Sequence, residues 1–265
     1  MTILPHIYFI TIGSDETKIK YLKKSVEIKN IDMKYIIIKW RGFVDKIKYM
    51  IECIKDYNDN DIVCFVDAYD IIVSNVEDIY NRFIKYNCNI LFSSEFICFP
   101  YSNIEGYTNI NSKTNFKYLN SGGYIGYKKN IYEMLKYRTL EEIYILCKNG
   151  GDQNFFTQYY LNNKINNEIN IKLDTNQEIF QSMCCVNFYD FELHNGYVYN
   201  KILEIYPCFI HFNGFGDNDI KNAIYKHKYI NIIEEFLQRL IMSINGDVIS
   251  LPYEQFDNKY INQIS

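Results

Sequence analysis

Residues 61–66 read Asp-Ile-Val-Cys-Phe-Val, and the run stops abruptly at Asp67-Ala68-Tyr69-Asp70. Apolar residues without alternation have both faces covered, which is the pattern of a strand in the middle of a parallel sheet. Such a strand needs helices on each side, so this segment alone points to an α/β chain. The rest of the sequence supplies them. Strands are expected at 7–12, 35–39, 90–93, 169–173 and 208–211. Helices are expected at 17–29, 45–57, between the strands at 61–66 and 90–93, and at 131–147 and 153–162. In the second of these, Ile47, Met50, Ile51 and Ile54 form one stripe. The polar stretch 100–117 reads as a loop. An amphipathic helix over 229–244 would cap the core or pack on a second copy as a homodimer. No internal repeat and no Pro/Gly/Ser-rich linker divides the chain, so a single domain over 1–265 is expected.

The composition removes several function classes. The 28 basic and 32 acidic residues leave a net charge of −4, with no basic excess to hold nucleic acid or an anionic membrane. The eight cysteines include no Cys-x-x-Cys and no zinc-type spacing, and several sit in apolar runs. They read as buried, reduced thiols. The first residues lack a basic segment followed by an apolar one, so no signal peptide is expected. No apolar stretch reaches membrane-spanning length. The expectation is a soluble protein of a reducing compartment.

Five features could carry chemistry, and each has an ordinary alternative. Asp67 and Asp70 close a buried strand, where open α/β sheets bind ligands. Oxygen ligands there suit Mg²⁺ or Mn²⁺ bridging a diphosphate. Equally, Asp70 or Ser74 could cap a helix. Asn120-Ser121-Gly122-Gly123 could bring backbone close to a sugar, or make a tight turn before a strand at 124–127. Asp152, in Gly150-Gly151-Asp152-Gln153, could orient an acceptor hydroxyl or cap a helix. His211, in Ile210-His211-Phe212-Asn213-Gly214, could complete a manganese site or be structural. Trp40, the lone tryptophan, could stack on a sugar or pack in the core.

Taken in order, these segments resemble the glycosyltransferase domain of multifunctional procollagen lysyl hydroxylases. The resemblance is carried by Trp40-Arg41-Gly42, Phe65-Val66-Asp67-Ala68-Tyr69-Asp70, Leu91-Phe92-Ser93-Ser94-Glu95, Leu119-Asn120-Ser121-Gly122-Gly123-Tyr124-Ile125-Gly126, Asp152-Gln153-Asn154-Phe155-Phe156-Thr157 and His211-Phe212-Asn213-Gly214. It runs from about residue 7 to about residue 226. A stand-alone viral homologue fits the composition, which would place it in the host cytoplasm or virion.

The resemblance implies a GT-A fold with a Rossmann-like, mostly parallel central sheet flanked by helices. It implies Mn²⁺ held by Asp67, Asp70 and His211, with UDP-glucose as donor. It implies Thr11, Tyr69, Asn213 and Gly214 at the nucleotide, and Trp40, Asn120 and Asp152 at the sugar and acceptor. The implied reaction is retaining glucose transfer to galactosyl-hydroxylysine of collagen or a collagen-like glycopeptide. Galactose transfer from UDP-galactose to hydroxylysine, a different acceptor, and a non-catalytic binding module are the alternatives. The chain departs from the family in three places. Asn149-Gly150-Gly151 replaces an acidic run, Phe99 replaces a tryptophan, and the loop after Gly42 is shortened. No histidine is followed two residues later by Asp, so lysine hydroxylation is not expected of this sequence.

Overall fold

A computed structural model describes residues 4–101, 107, 112–166, 169–213 and 223–251. In chain order the strands are β1 (Ile7–Gly13), β2 (Met33–Ile37), β3 (Ile62–Val66), β4 (Ile71–Val73), β5 (Ile90–Glu95), β6 (Tyr118–Tyr127), β7 (Ile171–Leu173), β8 (Phe180–Ser182), β9 (Phe191–His194), β10 (Tyr197–Asn200), β11 (Phe209–His211) and β12 (Ile249–Ser250). The helices are α1 (Lys20–Ile28), α2 (Phe43–Ile54), α3 (Ile79–Lys85), α4 (Lys128–Leu135), α5 (Leu140–Cys147), α6 (Gly151–Asn166) and α7 (Ala223–Met242).

The main sheet has the order β2-β1-β3-β6-β5-β7. The sheet is mostly parallel, as expected, with one reversed strand that departs from a purely parallel Rossmann sheet. β1 runs parallel to β2 and β3, and β5 to β7, but β6 runs antiparallel to both of its neighbours. The reversed strand contains the glycine-bearing segment. That segment is not a turn leading into a short strand, but the first half of one long strand. Gly122 and Gly123 let it continue: a Cβ on Gly123 would sit 2.6 Å from the Phe180 ring. The ladder with β5 shifts register between Phe92 and Ser93, so residues 121–123 leave β5 while Gly123 still pairs with Val66.

Every residue of β3 is buried, as its unbroken apolar run requires. Val63 and Phe65 face a core made with α2, α4, α5 and α6, where Phe65 stacks on Tyr124 with ring centroids 5.0 Å apart. Ile62, Cys64 and Val66 face the other core, with α1, α3 and β4. A third cluster joins β9, β10 and β11 to the C-terminal helix. Ile233, Phe236, Leu237 and Leu240 of α7 pack there with Ile210 and Phe212, so this face of the helix covers the core.

Two other expectations change. The helix read over 131–147 is two helices, separated where Thr139 accepts from Glu142 N–H and Glu142 accepts from Thr139 N–H. That reciprocal cap starts a new helix. Asp70 leads into β4 rather than a helix, and β4 joins a second sheet of order β4-β11-β8. Part of the 100–117 loop lies outside the described residues.

Candidate active site

The site is built where the main sheet meets the small one. Asp67 directly follows β3, and its N–H bonds Gly122 O at 2.9 Å. Asp70 directly precedes β4. β4 pairs antiparallel with β11, setting Ile71 opposite His211, and Phe212 N–H bonds Asp70 O at 2.9 Å. Residues 70 and 211 are thereby forced side by side. One ligand atom from each of Asp67, Asp70 and His211 lies within 4.8 Å of the others, and this is the cluster of that kind found among the described residues.

His211 is buried, with Nε2 3.3 Å from Asp70 Oδ2. Burial pulls its pKa down, but the carboxylates of Asp70 and Asp67 more than offset this, and the net direction is up. Its Nδ1 has no hydrogen-bond partner, an uncommon state for a buried ring nitrogen. Gly122 makes the approach possible. A Cβ there would fall 2.1 Å from His211 Cε1 and 2.9 Å from Asp67 Oδ2. Two carboxylates and an imidazole with a spare buried nitrogen fit a first-row divalent cation such as Mn²⁺.

Lys46 of α2 was not anticipated. Its Nζ lies 2.7 Å from both Asp67 Oδ1 and Asp152 Oδ2. Lys46 and Asp152 are both buried, so this is a charge pair removed from water. Burial lowers the lysine's proton affinity, but the two carboxylates raise it further, so Lys46 is charged. Burial also pushes Asp152 up, against the pull of Lys46. Ser121 Oγ approaches Asp152 Oδ1 at 3.4 Å. The available signal was a cation three residues after Phe43 and four before Met50, on the buried stripe of the helix.

A polar network surrounds this centre. Glu95, the last residue of β5, accepts from Gln153 Nε2 at 2.6 Å and Asn213 Nδ2 at 2.9 Å. Asn213 Oδ1 accepts from Ser182 Oγ at 2.7 Å. Asn120 Oδ1 accepts from Gly122 N–H at 2.9 Å, and Gln153 Oε1 receives Ser121 N–H. Glu95 closes its strand as Asp67 closes β3, and that parallel was the sequence signal for it. Asp152 lies in the first turn of α6, which starts at Gly151, so it is not the helix cap.

Burial pushes the Glu95 carboxyl up to about 7, against its hydrogen bonds and the His211 charge. The ordinary value is 4.5. Between these values the folded state holds the extra proton, so this group's contribution to stability falls as pH rises from about 4.5 to 7. The loss is complete above about 7 and amounts to about 3 kcal/mol. Buried Asp174, pushed up to about 6, has the same sign. The urea midpoint should therefore drop between pH 5 and pH 8, and Glu95→Gln should shrink that drop. An equal drop in the variant would rule Glu95 out as its source.

The remaining expected residues divide. Tyr69 Oη accepts from the N–H groups of Ser14 and Asp15 at 2.6 and 3.0 Å, tying the loop after β1 to the acidic loop after β3. Thr11 is wholly buried inside β1, with its hydroxyl unpaired among the described residues. Trp40 is 39% exposed and packs edge-on against Phe43, whose ring lies against Gly151 beside Asp152. It stands at the rim of the site rather than in the core. Gly214 falls outside the described residues.

The family model for the PLOD GT domain matches residues 6–232. An uncharacterized protein of Acanthamoeba polyphaga mimivirus is 31% identical, covering 69% of this chain and 40% of that one. The multifunctional procollagen lysine hydroxylase and glycosyltransferase of Caenorhabditis elegans is 27% identical over 81% of this chain and 31% of its own length. The human protein of that name, LH3, is 25% identical over 77% and 29%. The chain thus spans between 29% and 40% of the length of these relatives. A glycosyltransferase involved in glycosylation of the major capsid of PBCV-1 superposes with a TM-score of 0.51 at 11% identity, over 87% of this chain and all of that one. That likeness shows the fold, an α/β glycosyltransferase fold of the GT-A kind. Among the described residues no helix is long and apolar enough to cross a membrane.

Proposed function

The chain belongs to the PLOD GT domain family, and from that premise we propose that it is a retaining, Mn²⁺-dependent hexosyltransferase that moves glucose from UDP-glucose to galactosyl-hydroxylysine of a collagen-like glycopeptide. The observation that carries the reading is the Asp67, Asp70 and His211 cluster with its unpartnered buried His211 Nδ1. These three residues would hold the cation, which when bound offsets charge growing on a departing diphosphate.

The other roles fall to the chain's own groups. Tyr69 fixes the loop 13–15 against the acidic loop and presents its ring beside the nucleotide. Asn213, held by Glu95 and Ser182, faces the diphosphate side. Asn120 and Asp152 position donor sugar and acceptor hydroxyl, a contribution of proximity. Asp152 is suited to steady positive charge at the anomeric carbon, because Lys46 keeps its carboxylate oriented. Trp40 offers an aromatic face at the rim.

UDP release with Mn²⁺ tests this. UDP-glucose and UDP-galactose are each tried with a galactosyl-hydroxylysine peptide, a hydroxylysine peptide, and no acceptor. Release from UDP-glucose that needs the galactosylated peptide is the expected result. Release from UDP-galactose on the hydroxylysine peptide would move the assignment to galactose transfer. Silence with both donors, from folded protein, would overturn the acceptor assignment.

A further inference from the structure

Two reactive groups lie outside this machinery. Cys184 and Cys185 follow β8, with their Sγ atoms 3.5 Å apart. Cys184 is buried, whereas Cys185 is exposed, alone among the eight cysteines. The backbone at Cys185 has φ 62°, a left-handed conformation disfavoured for a residue with a side chain. Such local strain collects at ligand clamps and switch regions. The two preceding residues are tied to the metal strand. Met183 N–H bonds His211 O at 2.8 Å, and Ser182 Oγ bonds Asn213.

We propose that Cys184 and Cys185 form a dithiol modification site that reacts with small disulfides and closes to a disulfide between neighbours, and that closure weakens divalent-cation binding at Asp67, Asp70 and His211. The second half rests on the metal reading above. The first does not.

The steps balance as thiol–disulfide exchange. The Cys185 thiolate attacks one sulfur of the small disulfide, forming a mixed disulfide and expelling one thiolate, which takes up a proton. Cys184 then loses its proton and attacks Cys185 Sγ, breaking the mixed bond and expelling the second thiolate. Two cysteine thiols are oxidised, and one small disulfide is reduced to two thiols. The hydrogen bond from Cys184 draws the Cys185 thiol down to about 7, so thiolate is available at neutral pH. Capping Cys185 removes that bond and frees Cys184 to react. Neighbouring Cα atoms stand about 3.8 Å apart across a trans peptide, shorter than the roughly 4.4–6.8 Å usual for a disulfide, so the closed ring is strained and readily reduced. Closing it must twist the backbone at 184–185, and the Met183 and Ser182 bonds pass that movement to His211 and Asn213.

The full chain is treated with one equivalent of dipyridyl disulfide. The expected result is two pyridinethiones released per chain and a loss of two hydrogens in the peptide holding both cysteines. Cys184→Ser should instead keep a pyridyl adduct on Cys185. A lasting adduct on Cys185 of the unmodified sequence would overturn the dithiol site. Free Mn²⁺ is then titrated by paramagnetic resonance. The closed chain should bind Mn²⁺ about fivefold or more weaker, with recovery in dithiothreitol and no response in Cys185→Ser. Equal affinity in the closed and reduced chains would overturn the coupling. A reduced chain that binds no Mn²⁺ would overturn the metal assignment and the coupling with it, while the mass measurement still decides the dithiol site.

Discussion

Asp67→Ala should lower UDP release by about 10²–10³-fold or more and leave the fold in place. The loss follows from position. Asp67 supplies one of three atoms gathered within 4.8 Å, and the remaining Asp70 and His211 cannot hold a cation firmly against a diphosphate. The fold survives because the pairing of Asp67 with Gly122 is through its backbone N–H, which alanine keeps. Lys46 also retains Asp152 as a partner, so no buried charge is stranded. Turnover with saturating Mn²⁺ and a thermal melt, taken on one preparation, separate the two effects. Near-normal turnover would sink the metal assignment. A collapsed melting transition would show that Asp67 is structural instead.

Lys46→Ala inverts that pattern. Here stability should fall, because the ammonium is buried between two carboxylates and its removal strands Asp152. Breaking a buried pair from one side costs about 3–5 kcal/mol, which for a chain of this size lowers the melting temperature on the order of 10 °C. Activity should fall with it, since Asp152 loses the group that orients it. The pairing is isolated by Lys46→Met combined with Asp152→Asn. With both charges gone, most of the stability should return while activity stays absent, and the departure from additivity measures the coupling. A cost under about 1 kcal/mol for Lys46→Ala, the range of exposed pairs, would mean that the pair is solvated in solution.

β3 was legible in the sequence because five buried residues in a row admit few other readings, and its acidic exit marked where a ligand would sit. Of the small β4-β11-β8 sheet only β11 was legible, as the strand expected at 208–211; β4, β8 and their pairing with it were not. Three-residue strands are too short to show a period, yet this sheet brings His211 against Asp70. The reversal of β6 was hidden because strand direction is set by pairing partners far away in sequence. Lys46 looked like any helix lysine, and only the apolar stripe around it marked it as buried. The break between α4 and α5 had a local signal in Thr139 and Glu142, masked by apolar residues on both sides. Glu95 stood in the open at a strand end, but its partners Gln153 and Asn213 come from distant segments.

The pairing of β4 with β11 has a further consequence, in time rather than in space. The acidic loop and His211 are separated by about half of the chain, and this short ladder is what sets them side by side. Loop closure over such a distance is entropically costly and slow compared with local helix formation. The main sheet through β3 can assemble from earlier segments, whereas the Asp67, Asp70 and His211 cluster is complete only after residues 209–211 arrive. A chain emerging during synthesis would thus carry a formed main sheet before the three groups that could hold a metal were together.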